Sequence, residues 1–246
     1  MPNFAFFEDY DQITSPDRIL YHGSRGGIIG PIVPRSRPGT DFGEGFYMGT
    51  DPMQTKGLVA AEAQPVSYAL SVDFSHVSHS QVLVLDRYEW IFTILHFRRT
   101  CRPFNGSVID ETMGKLTRGF DFIMGPIADD RMNEAVRRFA ANELTDEGLF
   151  ACLSRVRYGT QIVAKTESAC RRIEVVAEQI MYEDELDDIL EYQRKQRMQA
   201  RGIVSRIQEE FKGRGRYLSE LIASPFEPSH PVMKDGRVLA FSDDGE

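Results

Sequence analysis

Six short apolar runs, none long enough for more than one buried strand, set the fold class of this chain. They are DRILYH (17–22), EGFYMGT (44–50), VSYALSVDF (66–74), QVLVLD (81–86), FDFIMGPIADD (120–130) and GTQIVAKT (159–166). The third alternates Val66, Tyr68, Leu70, Val72 and Phe74 with small or polar residues, the period of a half-buried strand. Helical patterns fall between the runs. MQTKGLVAAEA follows Asp51-Pro52, a helix start, and breaks at Pro65. RYEWIFTILHFRRT puts Trp90, Ile91, Ile94, Leu95 and Arg98 at helical spacing, and Trp90 and Phe92 read as packing residues. DDRMNEAVRRFAANEL carries acids in its first turn, TDEGLFACLSRV follows, and Thr166 caps a helix over ESACRRIEVVAEQI. Strands and helices mixed without regular alternation predict an α+β fold rather than a doubly wound sheet.

The 246 residues, 41% hydrophobic, suffice for one well-buried domain with an appendage. Residues 1–182 read as that domain and 183–223 as a helical extension, first acidic (EDELDDILE) and then basic (YQRKQRMQARGIVSRI). Residues 224–246, with three prolines and an acidic end, read as a poorly ordered tail. A net charge of -8 argues against wholesale binding to a phosphate backbone. Cys101, Cys152 and Cys170 are too widely spaced for a disulfide framework or a CxxC metal signature, and fit free buried thiols. His76, His79, His96 and His230 share no metal-ligand spacing, so no metal is expected. The start, MPNFAFFEDYDQI, has no signal-peptide pattern, and WIFTILHF (90–97) falls far short of a membrane span. The expectation is a soluble cytoplasmic protein without membrane contact, exported, if at all, by a route needing no cleavable signal.

Two motifs carry the chemistry. LYHGSR (20–25) sets a histidine and a glycine at a strand end, and FGEGFYM (42–48) joins a Gly-x-Gly turn to an aromatic pair. Taken singly, a strand-end histidine is usually structural and a Gly-x-Gly is a weak signal. With the later strand GTQIV in the same order, they resemble the paired nicotinamide-binding motifs of the poly-ADP-ribose polymerase and diphtheria-toxin class of ADP-ribosyltransferases. The wider pattern, DFGEGFYMGTD, DFIMGPIADDRM and TQIVAKTESA, is similar to a bacterial branch of that superfamily whose functions are mostly unassigned. The likeness covers roughly residues 17–177. It implies a split β-sandwich of two mainly antiparallel sheets with flanking and inserted helices, the helices at 131–156 lying between two late strands.

The resemblance also implies roles. His22 would hydrogen-bond the adenosine-side ribose, and Gly23 would offer its backbone N–H and C=O to the nicotinamide carboxamide. Tyr47 would stack on the nicotinamide ring, presented by the turn at Gly43 and Gly45, while Ser24 and Arg25 would reach the phosphates. Each role fits the residue's chemistry: glycine admits close backbone approach, an amide is read by one donor and one acceptor, and aromatic faces stack. The implied reaction transfers ADP-ribose from NAD, the substrate, to a macromolecular acceptor and releases nicotinamide. The implied setting is a toxin, effector or toxin–antitoxin component with an antitoxin or immunity protein as partner.

Where the family places a catalytic glutamate, this chain has Gln161. Glutamine grips a hydroxyl but carries no charge. Glu167 lies six residues on, too far along an extended strand to replace it, whereas Asp129 and Asp130 are either helix caps or the missing carboxylate. Three readings therefore stand: a mono-ADP-ribosyltransferase, a module that holds NAD or ADP-ribose without turnover, and an interaction protein using its basic helix. The last would act through Arg194, Lys195, Arg197, Arg201, Arg206, Lys212, Arg214 and Arg216 on an acidic partner, an immunity protein or a nucleic acid, although the set reads first as a solvated helix face.

Overall fold

Strand-forming Val, Ile and Tyr in the apolar runs pair as the alternation predicts, and the computed structural model describes residues 10–128, 130–155 and 159–224. In chain order the elements are α1 (Tyr10–Ile13), β1 (Leu20–Ser24), β2 (Phe46–Gly49), α2 (Pro52–Gly57), β3 (Val66–Val72), β4 (Val82–Val84), α3 (Arg87–Arg98) and α4 (Val108–Leu116). There follow β5 (Phe122–Pro126), α5 (Asp130–Ala140), α6 (Asp146–Arg155), β6 (Thr160–Ala164), α7 (Glu167–Cys170), β7 (Ile173–Ile180), α8 (Glu183–Glu210) and α9 (Leu218–Ala223). The fold is α+β, as expected, with α5 and α6 inserted between β5 and β6.

All the strands join one seven-stranded mixed sheet of order β4-β5-β6-β2-β1-β3-β7, in place of two separate sheets. Only β4 and β5 run parallel; the other neighbours are antiparallel. The sheet is nearly divided in its middle. Five residue pairs join β1 to β3 and four join β2 to β6, but β1 meets β2 only at Tyr21↔Gly49.

One face of the sheet packs Leu83, Ile123 and Val163 against the fully buried Trp90, Phe92 and Phe139 of α3 and α5. Asp86 caps α3, its carboxylate accepting from the Tyr88 and Glu89 backbone N–H groups, and Glu89 reaches back to Asp86 N, a capping box. The other face packs Phe46, Met48, Leu70, Phe122 and Ile162 beneath α1 and α7. Val204 and Ile207 of α8 and Leu218 and Leu221 of α9 enter the first of these cores, so the helical extension is packed onto the domain. Residues 225–246, most of the expected tail, lie outside the described residues.

Two helix expectations need correction. The helix after Asp51 stops at Gly57, because the chain then turns to bury Val59 and Ala60 against Met181 and Ile189. The helix capped by Thr166 is a single turn; IEVVAEQI beyond it is β7, held extended by pairing along the whole of β3. Strand pairing there outweighs local helix preference. Val175, Val176 and Ile180 are left exposed on this edge strand, and Val176 is skipped between the pairs Ala69↔Ala177 and Leu70↔Val175, a bulge. Helix α4, capped by Ser107, was not anticipated.

Candidate active site

The gap between β1 and β2 organises a cleft. Extending the Tyr21↔Gly49 register would set Gly23 opposite Tyr47, but the strands part there. The His22 ring occupies the opening, Nδ1 2.7 Å from the Tyr47 carbonyl oxygen, stacked on Phe46 at 4.4 Å and 27°. Burial holds the imidazole pKa below its ordinary value. A carbonyl only accepts, so neutral His22 donates from Nδ1–H and keeps Nε2 as an acceptor.

Two glycines of the motifs are required by packing. A Cβ on Gly23 would stand 2.4 Å from the Thr55 carbonyl oxygen of α2. On Gly43, whose φ is +75°, it would meet the Phe97 ring at 2.5 Å. Gly43 also receives the Tyr47 hydroxyl, which donates to its carbonyl at 2.8 Å and accepts from Phe42 N at 2.9 Å. The Tyr47 ring is thereby locked against its own loop, and burial raises the phenol pKa well above its usual value. Lys165 clamps the same loop, donating to the Phe42 carbonyl at 2.7 Å and to that of Glu44; burial brings its pKa down to about 8.

Gln161, 7% exposed on β6, uses both amide hydrogens: Nε2 donates to Asp41 Oδ2 and to the Pro126 carbonyl, each at 3.1 Å. Both partners only accept, which fixes the amide and leaves Oε1 as the face a ligand meets. Asp41 is held in turn by Arg98, with Nε at 2.7 Å and Nη2 at 2.6 Å from Oδ1. Arg98 also donates to the Ala128 carbonyl at 2.8 Å and to Asn133 Oδ1 at 3.0 Å. Asp41, Arg98 and Asn133 were not singled out by sequence as site residues, although Asp41 directly precedes the Phe-Gly-Glu-Gly turn.

These groups surround a cleft of about 580 Å³ lined by His22, Gly23, Arg25, Gly45, Tyr47 and Gln161. Of the residues expected to touch NAD only Ser24 is not on its wall; its hydroxyl closes the following turn on the Gly27 carbonyl at 3.0 Å. Arg25 is paired with Glu62 at 3.0 Å. Arg35 and Arg37 also line the cleft, are exposed, and have no ion-pair partner among the described residues. Asp41 is the acidic residue on the wall, and its charge is opposed by Arg98. Glu167 is not on it and lies 3.7 Å from Arg171. Asp129 lies outside the described residues, and Asp130 opens α5.

Among the described residues no three His, Cys, Asp or Glu side chains gather as a metal site. No helix among them is long and apolar enough to cross a membrane. On α8, Arg194 and Lys195 each pair with Glu191 at 3.3 Å.

Neither the curated proteins nor the solved structures include a match to this chain. The model of a family described as a protein of unknown function, DUF3990, matches residues 18–175. That span runs from just before β1 into β7 and holds His22, Tyr47, Asp41 and Gln161. Because the match covers more than half of the chain, this protein belongs to the DUF3990 family.

Proposed function

We propose that this chain is an NAD-dependent ADP-ribosyltransferase, moving ADP-ribose from NAD to an acceptor and releasing nicotinamide. One observation carries the reading: His22, Tyr47 and Gln161, far apart in sequence, line one cleft where the sheet nearly divides. That near-division is where the two sheets of the resembling transferases would separate, so the one-pair joint supports the split architecture as well.

In this reading His22 Nε2 accepts a ribose hydroxyl hydrogen bond, and the Gly23 backbone reads the carboxamide. The locked Tyr47 ring stacks on nicotinamide, and Arg35 and Arg37 face the diphosphate. Gln161 Oε1 accepts from the other ribose, as a carboxylate oxygen would, while Asp41 supplies negative charge behind the amide. The C–N glycosidic bond breaks with its electron pair leaving on nicotinamide. The acceptor atom then bonds to the same carbon and gives its proton to water, because Asp41 is engaged by Arg98 and Gln161. Rate comes from positioning and charge rather than from a base.

A second reading, NAD or ADP-ribose binding without turnover, is favoured by the neutral Gln161 and by Arg98 opposing the charge of Asp41. Purified protein incubated with NAD and cell lysate, assayed by mass spectrometry for free nicotinamide and labelled products, separates the two. Faster release by wild type than by Gln161→Ala is expected. Equal release by both proteins across a broad set of acceptors removes the transferase reading.

A further inference from the structure

Helix α8 and the turn after it carry their charge in two blocks. Residues 183–191 hold six carboxylates and no lysine or arginine, whereas residues 192–216 hold eight cations against Glu209 and Glu210. The two excesses are equal and opposite. A helix macrodipole favours acids at the N-terminus and bases at the C-terminus, but its reach is about one turn. Asp187, Asp188 and Glu191 lie beyond the first turn, and the last turn of α8 contains no base. Contacts within the chain also leave much of this charge uncovered. Among the described residues Glu183, Asp184, Asp187 and Asp188 make no ion pair, and neither do Arg201 and Lys212. Arg206 donates from Nε to the Gly202 carbonyl of its own helix at 3.3 Å.

The exposed face has a repeat as well as a charge pattern. Ile189, Ala200, Val204 and Ile207 are buried against the domain. Asp187, Glu191, Arg194, Met198, Arg201 and Ser205, all exposed, follow one another at alternating steps of four and three. That is the spacing by which one helix lies along another. Met198, in the middle of the line, is 68% exposed. Gly202 sits beside it in mid-helix, where glycine disfavours the helix relative to alanine, and a Cβ there would meet nothing within 4 Å. No contact within the described chain requires glycine at this position, whereas a helix approaching closely from outside does.

A partner of one sign would match one block and be repelled by the other. Nucleic acid would meet the acidic block, and a lysine-rich peptide the basic one. A second copy of α8 running antiparallel matches both blocks, and two-fold symmetry makes each contact twice.

We propose that α8 pairs with the α8 of a second copy of this chain, antiparallel along this face, in a dimer held by charge. With the two-fold axis at the level of residue 196, Glu191 lies opposite the partner's Arg201, Asp187 opposite the partner's Ser205 and Arg194 opposite the partner's Met198. Polar residues in place of an apolar seam make such a pair weak and salt-sensitive. The pairing stands apart from the transferase reading, since none of these side chains lines the cleft of His22 and Gln161.

The test is sedimentation of the full chain, from micromolar to submillimolar concentration, in about 50 mM and about 500 mM salt. A dimer at low salt, weakened about tenfold or more at high salt, is expected. Asp187→Lys with Asp188→Lys should weaken the low-salt dimer by about tenfold or more, and so should Arg201→Glu with Arg206→Glu. An equimolar mixture of these two variants should dimerise again, because each supplies the sign that the other lacks. Gly202→Gln should raise the melting temperature while weakening the dimer, two effects that misfolding cannot produce together. A chain that stays monomeric at low salt overturns the proposal. So does a dimer that either charge reversal or Gly202→Gln leaves at wild-type affinity, or a pair of reversed variants that fails to reassociate. Capture of a short single-stranded DNA by a chain that does not dimerise would assign the basic block to nucleic acid and overturn it as well.

Discussion

His22 Nδ1 lies 2.7 Å from the Tyr47 carbonyl oxygen, so a side chain replaces the backbone bond that β1 would otherwise give β2. The same ring thus holds the sheet together at its weakest joint and lines the cleft. Replacing His22 with Ala should weaken NAD binding by about 1–3 kcal/mol and lower the melting temperature as well. Unchanged NAD affinity, by calorimetry on folded protein, would remove the nucleotide from this cleft.

Acid should act through the same ring. Its pKa is depressed by burial, so the unfolded chain takes up a proton before the folded one does. The neutral-ring contribution is complete above about pH 6.5 and is lost as pH falls from there through the depressed value. Denaturant melts from pH 7.5 to 5 should show wild type losing stability faster than His22→Gln, which keeps a donor but does not titrate. Parallel losses would assign the acid limb to other groups.

Gln161→Glu is the substitution that resemblance alone would suggest to raise activity, and the geometry argues the reverse. The new carboxylate would face Asp41 Oδ2 and the Pro126 carbonyl where an amide now donates at 3.1 Å. The variant should lose about 1–3 kcal/mol of stability and release nicotinamide more slowly. Adding Asp41→Asn, which restores a donor, should recover part of the stability. Failure of the double variant to recover any of it would mean that the crowding argument is wrong.

Tyr47→Phe separates ring from hydroxyl. It keeps the stacking face but leaves Phe42 N without its partner, while the Gly43 carbonyl keeps the Thr40 hydroxyl at 2.9 Å. A stability loss of about 1–2 kcal/mol is expected, with NAD affinity falling less than for Tyr47→Ala. Equal affinity losses would assign the role to the loop rather than to the ring.

Lys165 gives an alkaline counterpart. Its folded pKa of about 8 lies below its ordinary 10.5, so its buried charge disfavours the fold most below pH 8. That penalty is relieved as pH rises from about 8 to 10.5. Relative to Lys165→Met, wild type should therefore gain stability across this window, as read by thermal melts.

The strands with a regular apolar rhythm were legible in sequence, and so was the cleft's main set, because His22, Tyr47 and Gln161 each sit in a short motif. β7 was not legible, since a strand exposed on nearly every residue has no alternation to read. Nor was the grip on Gln161. Its carboxylate partner is 120 positions away, and the arginine behind that is a further 57 positions from Asp41, so only the folded chain brings them together. Gly23 was read as a glycine that lets a ligand approach the backbone and Gly43 as one that lets the chain turn, yet α2 and Phe97 would require glycine there with no ligand bound.

The open edge at β7 bears on how the protein behaves in concentrated solution. Valines and an isoleucine on a strand with no outer neighbour among the described residues invite another chain to add itself to the sheet. Here the unpaired Val176 distorts the hydrogen-bonding row, and the exposed Glu174 and Glu178 place charge on either side of it. Charge at such positions opposes the addition of a further strand. Replacing both glutamates with Gln would leave the bulge as the remaining obstacle to strand addition along this edge.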